Sequence, residues 1–205
     1  MNDAEIRHNF HRKRLRQHHA QKGTLVIDEL GLNHGKCRAD IAVINGHLIG
    51  YEIKSNKDSL RRLEEQVKSY NAVFDKISIV VGDRYINSIP KYIPKFWGII
   101  VSIRGSRGAV NFHVIRNTRT NKNIDPLAIA RLLWRNEAAE ILQLKKVSPK
   151  VLRQPRAVLY DHLADMLHIC ELQKTVREYL KNRKNWRCPE SPSQYDGLYP
   201  LLPTL

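Results

Sequence analysis

The stretch Ala39–Lys54, ADIAVINGHLIGYEIK, decides the reading of this chain. Two short β-like runs flank an Asn45-Gly46 pair, and Asn-Gly between apolar runs predicts a hairpin with a type I′ turn. Asp40 opens the first run; Glu52 and Lys54 close the second. Alternate residues of a strand share a face, so Glu52 and Lys54 project together while Ile53 points into apolar packing. Folding the hairpin back carries Asp40 towards Glu52. Two carboxylates and an ammonium then meet at one end of a sheet.

The rest of the chain suits a polyanionic partner. Its 205 residues carry 35 Lys and Arg against 20 Asp and Glu, a formal net charge of +15. That balance favours nucleic acid or an anionic membrane surface. The membrane reading is weak, because there is no run of 18 apolar residues and the opening residues are polar and basic rather than an apolar leader. No membrane partner and a cytoplasmic location are therefore expected. Cys37, Cys170 and Cys188 are too widely spaced for a CxxC zinc or redox motif and read as reduced thiols.

Taken in order, residues 1–22 read as a basic N-terminal arm or helix. Ile6, Phe10 and Leu15 form only a narrow stripe among arginines, lysines and histidines. A solvated, partly frayed helix is the plain reading, and a phosphate-contacting arm the functional one. The pair His8 and His11 lacks a companion ligand for a metal. Residues 23–116 read as a mixed α/β core. Gly23–Leu32 is a short strand or the last turn of a helix, 58–74 an amphipathic helix with Asp58 as its cap, and 76–82 a buried, parallel strand. A further strand at 97–104 has a hairpin partner at 109–115. Residues 117–188 read as helical, with Asp125 and Pro126 opening the first helix, and helices over 156–172 and 175–184. The segment 189–205, with four prolines, reads as an extended tail.

The acid–acid–lysine set has a definite chemistry. Phosphodiester hydrolysis needs an activated water and a counter-charge on the phosphorus, and a hard divalent cation on oxygen ligands provides both. Asp40 and Glu52 can hold Mg2+ or Mn2+, the backbone carbonyl of Ile53 is a natural third ligand, and Lys54 can assist the attacking water. Glu-x-Lys by itself is commonly a solvated charge pair. Asp40 one hairpin away, the apolar flanking strands and the basic chain raise its weight.

The residues Arg38-Ala-Asp40, Tyr51-Glu-Ile-Lys54 and Gln66-x3-Tyr70 resemble the PD-(D/E)xK nuclease superfamily, and the Gln–Tyr element its RecB-like branch. Over roughly 25–140 the chain looks like an uncharacterised bacterial family of that superfamily; Ala39 replaces the motif's proline. The resemblance implies a restriction-endonuclease-like mixed β-sheet flanked by helices, with a C-terminal helical extension here. It implies metal binding by Asp40 and Glu52 and catalysis by Lys54. Glu29 is the best match to an acid that such nucleases carry in a preceding helix, with Asp28 as competitor. Gln66 is expected as a substrate or site organiser, and Tyr70 as half-core with its hydroxyl at the site.

The expected function is a metal-dependent nuclease acting on DNA, with a homodimer as one possible assembly. Arg38, Arg61, Arg62 and the basic arm would position the phosphate backbone, and Lys145, Lys146, Lys150, Arg153 and Arg156 would add affinity. The alternative is a non-catalytic nucleic-acid-binding or regulatory protein on a nuclease-like scaffold. Among smaller features, Ser55 reads as a strand-end cap, His34 as a loop histidine and Cys37 as inert. Trp97 and Trp134 read as core, and Trp186, among basic residues, as a base-stacking candidate.

Overall fold

The computed structural model of the chain describes residues 1–184 and residue 186; the expected tail at 189–205 lies outside the described residues. Six strands form one mixed sheet in sequence order: β1 (Leu25–Leu32), β2 (Cys37–Ile44), β3 (Leu48–Lys54), β4 (Lys76–Gly82), β5 (Gly98–Arg104) and β6 (Val110–Arg116). The β1–β2, β2–β3 and β5–β6 pairs are antiparallel, and β3–β4 and β4–β5 are parallel. The fold is thus α/β with helices on both faces. Among the described residues no helix is long and apolar enough to cross a membrane.

The central hairpin forms in the expected register but with a different turn. Ile44 pairs with Leu48, leaving the loop Asn45–His47, and of the Asn-Gly pair only Gly46 has positive φ, at 98°. A three-residue loop with glycine in the left-handed region thus replaces the type I′ turn. Gly50 lets Phe74 cross β3 closely, since a Cβ there would stand 2.8 Å from the Phe74 ring.

Each face of the sheet has its own cover. On one face α1 (Asp3–Lys13) and α2 (Arg16–Ala20) close a small core of Ile6, Phe10 and Leu15 against Val26, Ile41, Val43, Ile53, Val80 and Ile100. The Phe10 ring meets Tyr51 and Phe112 edge-on at 5.0 and 5.2 Å. The N-terminal segment is therefore not a solvated, frayed arm. Its three apolar residues are all fully buried, and at about 1.5–3 kcal/mol per side chain their burial is enough to fix the helix on the sheet.

The other face packs on α3 (Leu63–Val73) and on five further helices: α4 (Pro126–Ala130), α5 (Arg135–Leu144), α6 (Pro149–Leu152), α7 (Arg156–Met166) and α8 (Ile169–Asn182). One continuous apolar cluster runs from β2–β5 through Tyr70, Phe74 and Trp97 to Leu159, Leu163 and Leu180, so sheet and helices share a core.

Several expected boundaries move. The helix after β3 starts at Leu63, because Asp58 caps a turn instead: its carboxylate accepts from the Ser55 N–H at 2.7 Å and its carbonyl accepts from the Tyr85 hydroxyl. The helix after Asp125 is broken into α4 and α5, and Trp134, at the break, is 55% exposed rather than core. The Arg183 guanidinium lies 4.3 Å from its ring centroid. The expected 156–172 helix breaks at Leu167, whose backbone is extended. Trp186 is committed to packing: its indole N–H donates to the Leu180 carbonyl at 2.7 Å and its ring meets Arg183, so it is not a free stacking platform. Trp97 is core as expected.

Candidate functional site

The site is built on one rung of the sheet. The β1–β2 ladder pairs Asp28 with Ile41 and Leu30 with Ala39, which sets Glu29 opposite Asp40. The β2–β3 ladder pairs Ala42 with Gly50 and Ile41 with Tyr51, and its next rung sets Asp40 opposite Glu52. Neither ladder is closed at that rung. Glu29 has φ 58°, a strained left-handed conformation for a glutamate, and it breaks the β1 ladder there. On the other side, the Ile53 N–H donates to Asp40 Oδ2 at 2.7 Å, so a side chain fills the gap where β2 and β3 part. The Ile53 carbonyl, on the same edge of β3, faces that gap. Three acids on three adjacent strands thus line one end of the sheet.

Glu52 is the anchor. It is fully buried, and Oε1 accepts from Lys54 Nζ and from Gln66 Nε2, both at 2.5 Å. Its Oε2 accepts from the Tyr70 hydroxyl at 2.6 Å. Tyr70 also receives the Asp40 N–H at 3.1 Å, so one buried phenol joins both acid-bearing strands. Gln66 and Tyr70 stand four residues apart on α3 and therefore face the sheet together. Burial, then the Glu52 charge, raises the Tyr70 hydroxyl well above its ordinary value, so it stays a proton donor. The Gln66 amide oxygen is buried with no hydrogen-bond partner among the described residues.

The Asp40 carboxyl is pushed up to about 7, first by burial and then by the charge of Glu52. Arg7, from α1, opposes this: its guanidinium donates to the Asp40 carbonyl at 2.6 Å and to Oδ1 at 3.1 Å, and it pairs with Glu29 at 3.0 Å and Asp3 at 3.3 Å. Burial works against the Arg7 charge, but Asp40, Asp3 and Glu29 outweigh it and raise its pKa. The sequence did not single out Arg7 for this place. The only signals were its spacing from Asp3 and from the Ile6–Phe10 stripe, and neither says which strand the helix will cover.

The other candidates divide. Arg38 is on the rim, 61% exposed, with Nε 3.4 Å from Glu29. Arg61 and Arg62 are exposed just before α3. Glu29 lies in a strand, not in the preceding helix that the nuclease resemblance implies, because its run continues the β2 ladder. Asp28 points to the opposite face and pairs with His11 Nε2 at 2.9 Å, while His11 Nδ1 meets His19 at 3.1 Å. Ser55 is a buried turn residue whose hydroxyl accepts from the Lys57 N–H. Burial raises the half-buried Cys37 thiol, which keeps it protonated.

Among the described residues no group of three or more His, Cys, Asp or Glu side chains is gathered closely enough to hold a metal ion. Asp40 and Glu52 fit a hard cation as a pair, since Mg2+ is commonly held by one or two carboxylates, with water and phosphate in the remaining positions. Two features of the donor set support that fit: the burial and the Glu52 charge that together raise Asp40, and the Gln66 oxygen beside Glu52, which has no partner among the described residues.

The sequence matches the family described as Bacteriophage P4 protein cII over residues 2–188. It is 26% identical to "Protein cII" of Enterobacteria phage P4 over 158 residues, which is 77% of this chain and 59% of that protein. The chain thus spans under two thirds of that relative's length. No solved structure matches it. The matched span runs from α1 through the sheet to the last helix and so takes in every residue of the acidic rung; the chain belongs to the bacteriophage P4 protein cII family.

Proposed function

We propose that this protein is a metal-dependent nuclease that hydrolyses phosphodiester bonds in DNA, with a site of the PD-(D/E)xK kind. The observation that carries the reading is the pairing of Asp40, pushed up to about 7, with a fully buried Glu52 whose oxygens are held by Lys54, Gln66 and Tyr70. A fold that only needed packing here would not keep two carboxylates on one rung, where each raises the cost of the other's charge. A divalent cation held by Asp40 and Glu52 would activate water and offset the charge on the phosphorus. Lys54, nearly buried and bonded to Glu52, would steady the attacking water and stabilise developing negative charge. Gln66 and Tyr70 fix the Glu52 carboxylate by hydrogen bonds, which is the role of a supporting shell around a ligand.

Incubation of the purified protein with supercoiled and linear DNA in Mg2+ or Mn2+ tests this reading. Cleavage that is abolished by EDTA and lost in Asp40→Asn and Lys54→Ala supports it. No cleavage on any topology, or undiminished cleavage by both variants, overturns it.

One observation favours a second reading, a non-catalytic nucleic-acid-binding protein on a nuclease-like scaffold. Arg7 already gives Asp40 and Glu29 a cation of the protein's own. Calorimetry with Mn2+ separates the two: heat of binding that vanishes in Glu52→Ala favours the nuclease, and no binding to either protein favours the scaffold.

A further inference from the structure

Beyond the acidic rung, β1 and β2 are joined by a tight turn, Asn33–Gly35, at the same end of the sheet as Lys54. Asn33 and His34 both have positive φ, 46° and 58°, a strained arrangement for two successive residues that are not glycine. The turn is held by a stack of His34 on the buried Tyr160 ring, with centroids 5.5 Å apart and planes at 29°. Tyr160 is itself fixed, its hydroxyl donating to the Leu133 carbonyl at 2.8 Å. This stack gathers cations from three segments. Lys36 follows His34 in the turn. Arg156 stands one helical turn before Tyr160 on α7, hence on the same face. Arg131 caps α4, two residues before Leu133, to which Tyr160 is bonded. All three are close enough to His34 that their charges, after burial, lower its pKa.

These clustered cations have no counter-charge of the protein's own. Among the described residues none of Lys36, Arg131 and Arg156 has a carboxylate within 4.0 Å, whereas Arg7, Arg104, Arg177 and Arg183 all do. Arg131 is half-buried, and its guanidinium makes no hydrogen bond among the described residues. Like charges held together without an anion cost free energy in proportion to their proximity. A rigid, strained turn that holds them together is therefore suited to a ligand that supplies the anion.

We propose that His34, Lys36, Arg131 and Arg156, set on Tyr160, form an anion site for the phosphodiester backbone of the DNA substrate. This rests on the nuclease reading for the substrate's identity. Its position follows from the strands: Asn33 is four residues past Glu29 and Lys36 four before Asp40, so at about 3.3 Å per residue the site stands about 13 Å beyond the acidic rung. One strand of duplex DNA presents a phosphate about every 3.4 Å along the axis, so the contact falls about four phosphates from the bond to be cut. The site grips the backbone, carries no base readout and sets where a bound strand lies relative to Asp40 and Glu52.

Binding of a fluorescent duplex of about 20 base pairs, measured by anisotropy in EDTA, reads this out without metal or cleavage. The triple variant Lys36→Gln, Arg131→Gln, Arg156→Gln is expected to lose affinity by about 10-fold or more and to lower the log–log salt slope by about 2–3. The double variant Lys36→Gln, Arg156→Gln, which changes only exposed residues, guards against misfolding and should lower the slope by about two-thirds as much. The control Lys91→Gln, Lys95→Gln removes the same number of charges as the double variant from the connection between β4 and β5 and should bind within about 2-fold of the unaltered protein. Wild-type affinity in the cluster variants, or equal loss in the control, overturns the proposal. So does inorganic phosphate that binds the unaltered protein but not the cluster variants while all of them bind the duplex alike, which marks a small-anion site. Asp40→Asn should bind the duplex at least as well as the unaltered protein; this keeps failure of the anion site separate from failure of the nuclease reading, which cleavage alone decides.

Discussion

Asp40→Asn should change how stability depends on pH in a way that the rung geometry fixes in sign and size. Asp40 rises from an ordinary value of 3.8 to about 7 in the folded chain, through burial and the Glu52 charge. The folded state therefore holds a proton on Asp40 over pH 4–7 that the unfolded chain has released. Stability from this group is fully present below about pH 4 and is lost as pH rises through 7. At about 1.4 kcal/mol per unit, a shift of roughly three units is worth on the order of 4 kcal/mol between these limits. The Asp40 side chain is 19% exposed, so solvent screening trims that figure only modestly. Urea unfolding in EDTA at pH 4, 5, 6, 7 and 8, for the unaltered protein and for Asp40→Asn, isolates the contribution as a difference. Relative to the unaltered protein, the variant should gain about 1.4 kcal/mol per pH unit through the window and level off above 7. A difference that is flat across the window refutes the claim that burial and the Glu52 charge hold a proton on Asp40. Saturating Mg2+ extends the test. A cation bound between the two acids pulls the Asp40 pKa down, so the pH slope of the unaltered protein should shrink, and its stability at pH 8 should rise by about 2.7 kcal/mol at a hundredfold excess over Kd. The variant should show neither effect.

Other changes probe the supports of the rung. Tyr70→Phe removes the donor to Glu52 Oε2 and the acceptor of the Asp40 N–H; it should cost about 1.5–3 kcal/mol in urea unfolding and lower cleavage. Gly82→Ala places a Cβ 2.0 Å from Asn56 Oδ1, at the loop that follows Lys54, and should destabilise by about 1–3 kcal/mol while disturbing the site end of the sheet. Arg183→Ala breaks a buried pair with Glu137, at 2.5 and 2.7 Å, and a bond to the Leu132 carbonyl; a loss of about 3–5 kcal/mol in thermal or urea unfolding is expected.

Much of the sheet was legible because its signals are local. Asn45-Gly46 marks a turn, β-branched runs mark buried strands, and the E-x-K spacing follows from the strand period alone. The same local logic placed Gln66 and Tyr70 on one helix face, and the structure brings both to Glu52. The misses have non-local causes. Ile6, Phe10 and Leu15 form too narrow a stripe to predict burial in a basic segment, yet the sheet's second face needs a cover and this is what covers it. Trp134 follows the apolar period of its run, but the break at the start of α5 turns it outward against Arg183. Asp58 has the chemistry of a helix cap and spends it on the Ser55 N–H. Glu29 reads as an ordinary strand or helix acid until the ladder shows it opposite Asp40 with a left-handed backbone.

Arg7 ties the N-terminal helix to the chemistry. A guanidinium shared by Asp40, Glu29 and Asp3 is held by three acids, and α1 is held on the sheet by buried Ile6 and Phe10. A divalent cation between Asp40 and Glu52 and the Arg7 guanidinium on Asp40 Oδ1 draw on the same negative charge, so each weakens the other by electrostatics alone. Arg7→Met keeps the packing length of the side chain and removes that competitor. Under the nuclease reading it should tighten Mn2+ binding, with the gain largest near neutral pH, where Asp40 is only partly ionised. Under the scaffold reading it should leave Mn2+ binding undetectable and chiefly cost stability, because two buried-edge acids lose their partner. Calorimetry on this one variant therefore distinguishes a site awaiting a metal from one whose cation is built into the chain.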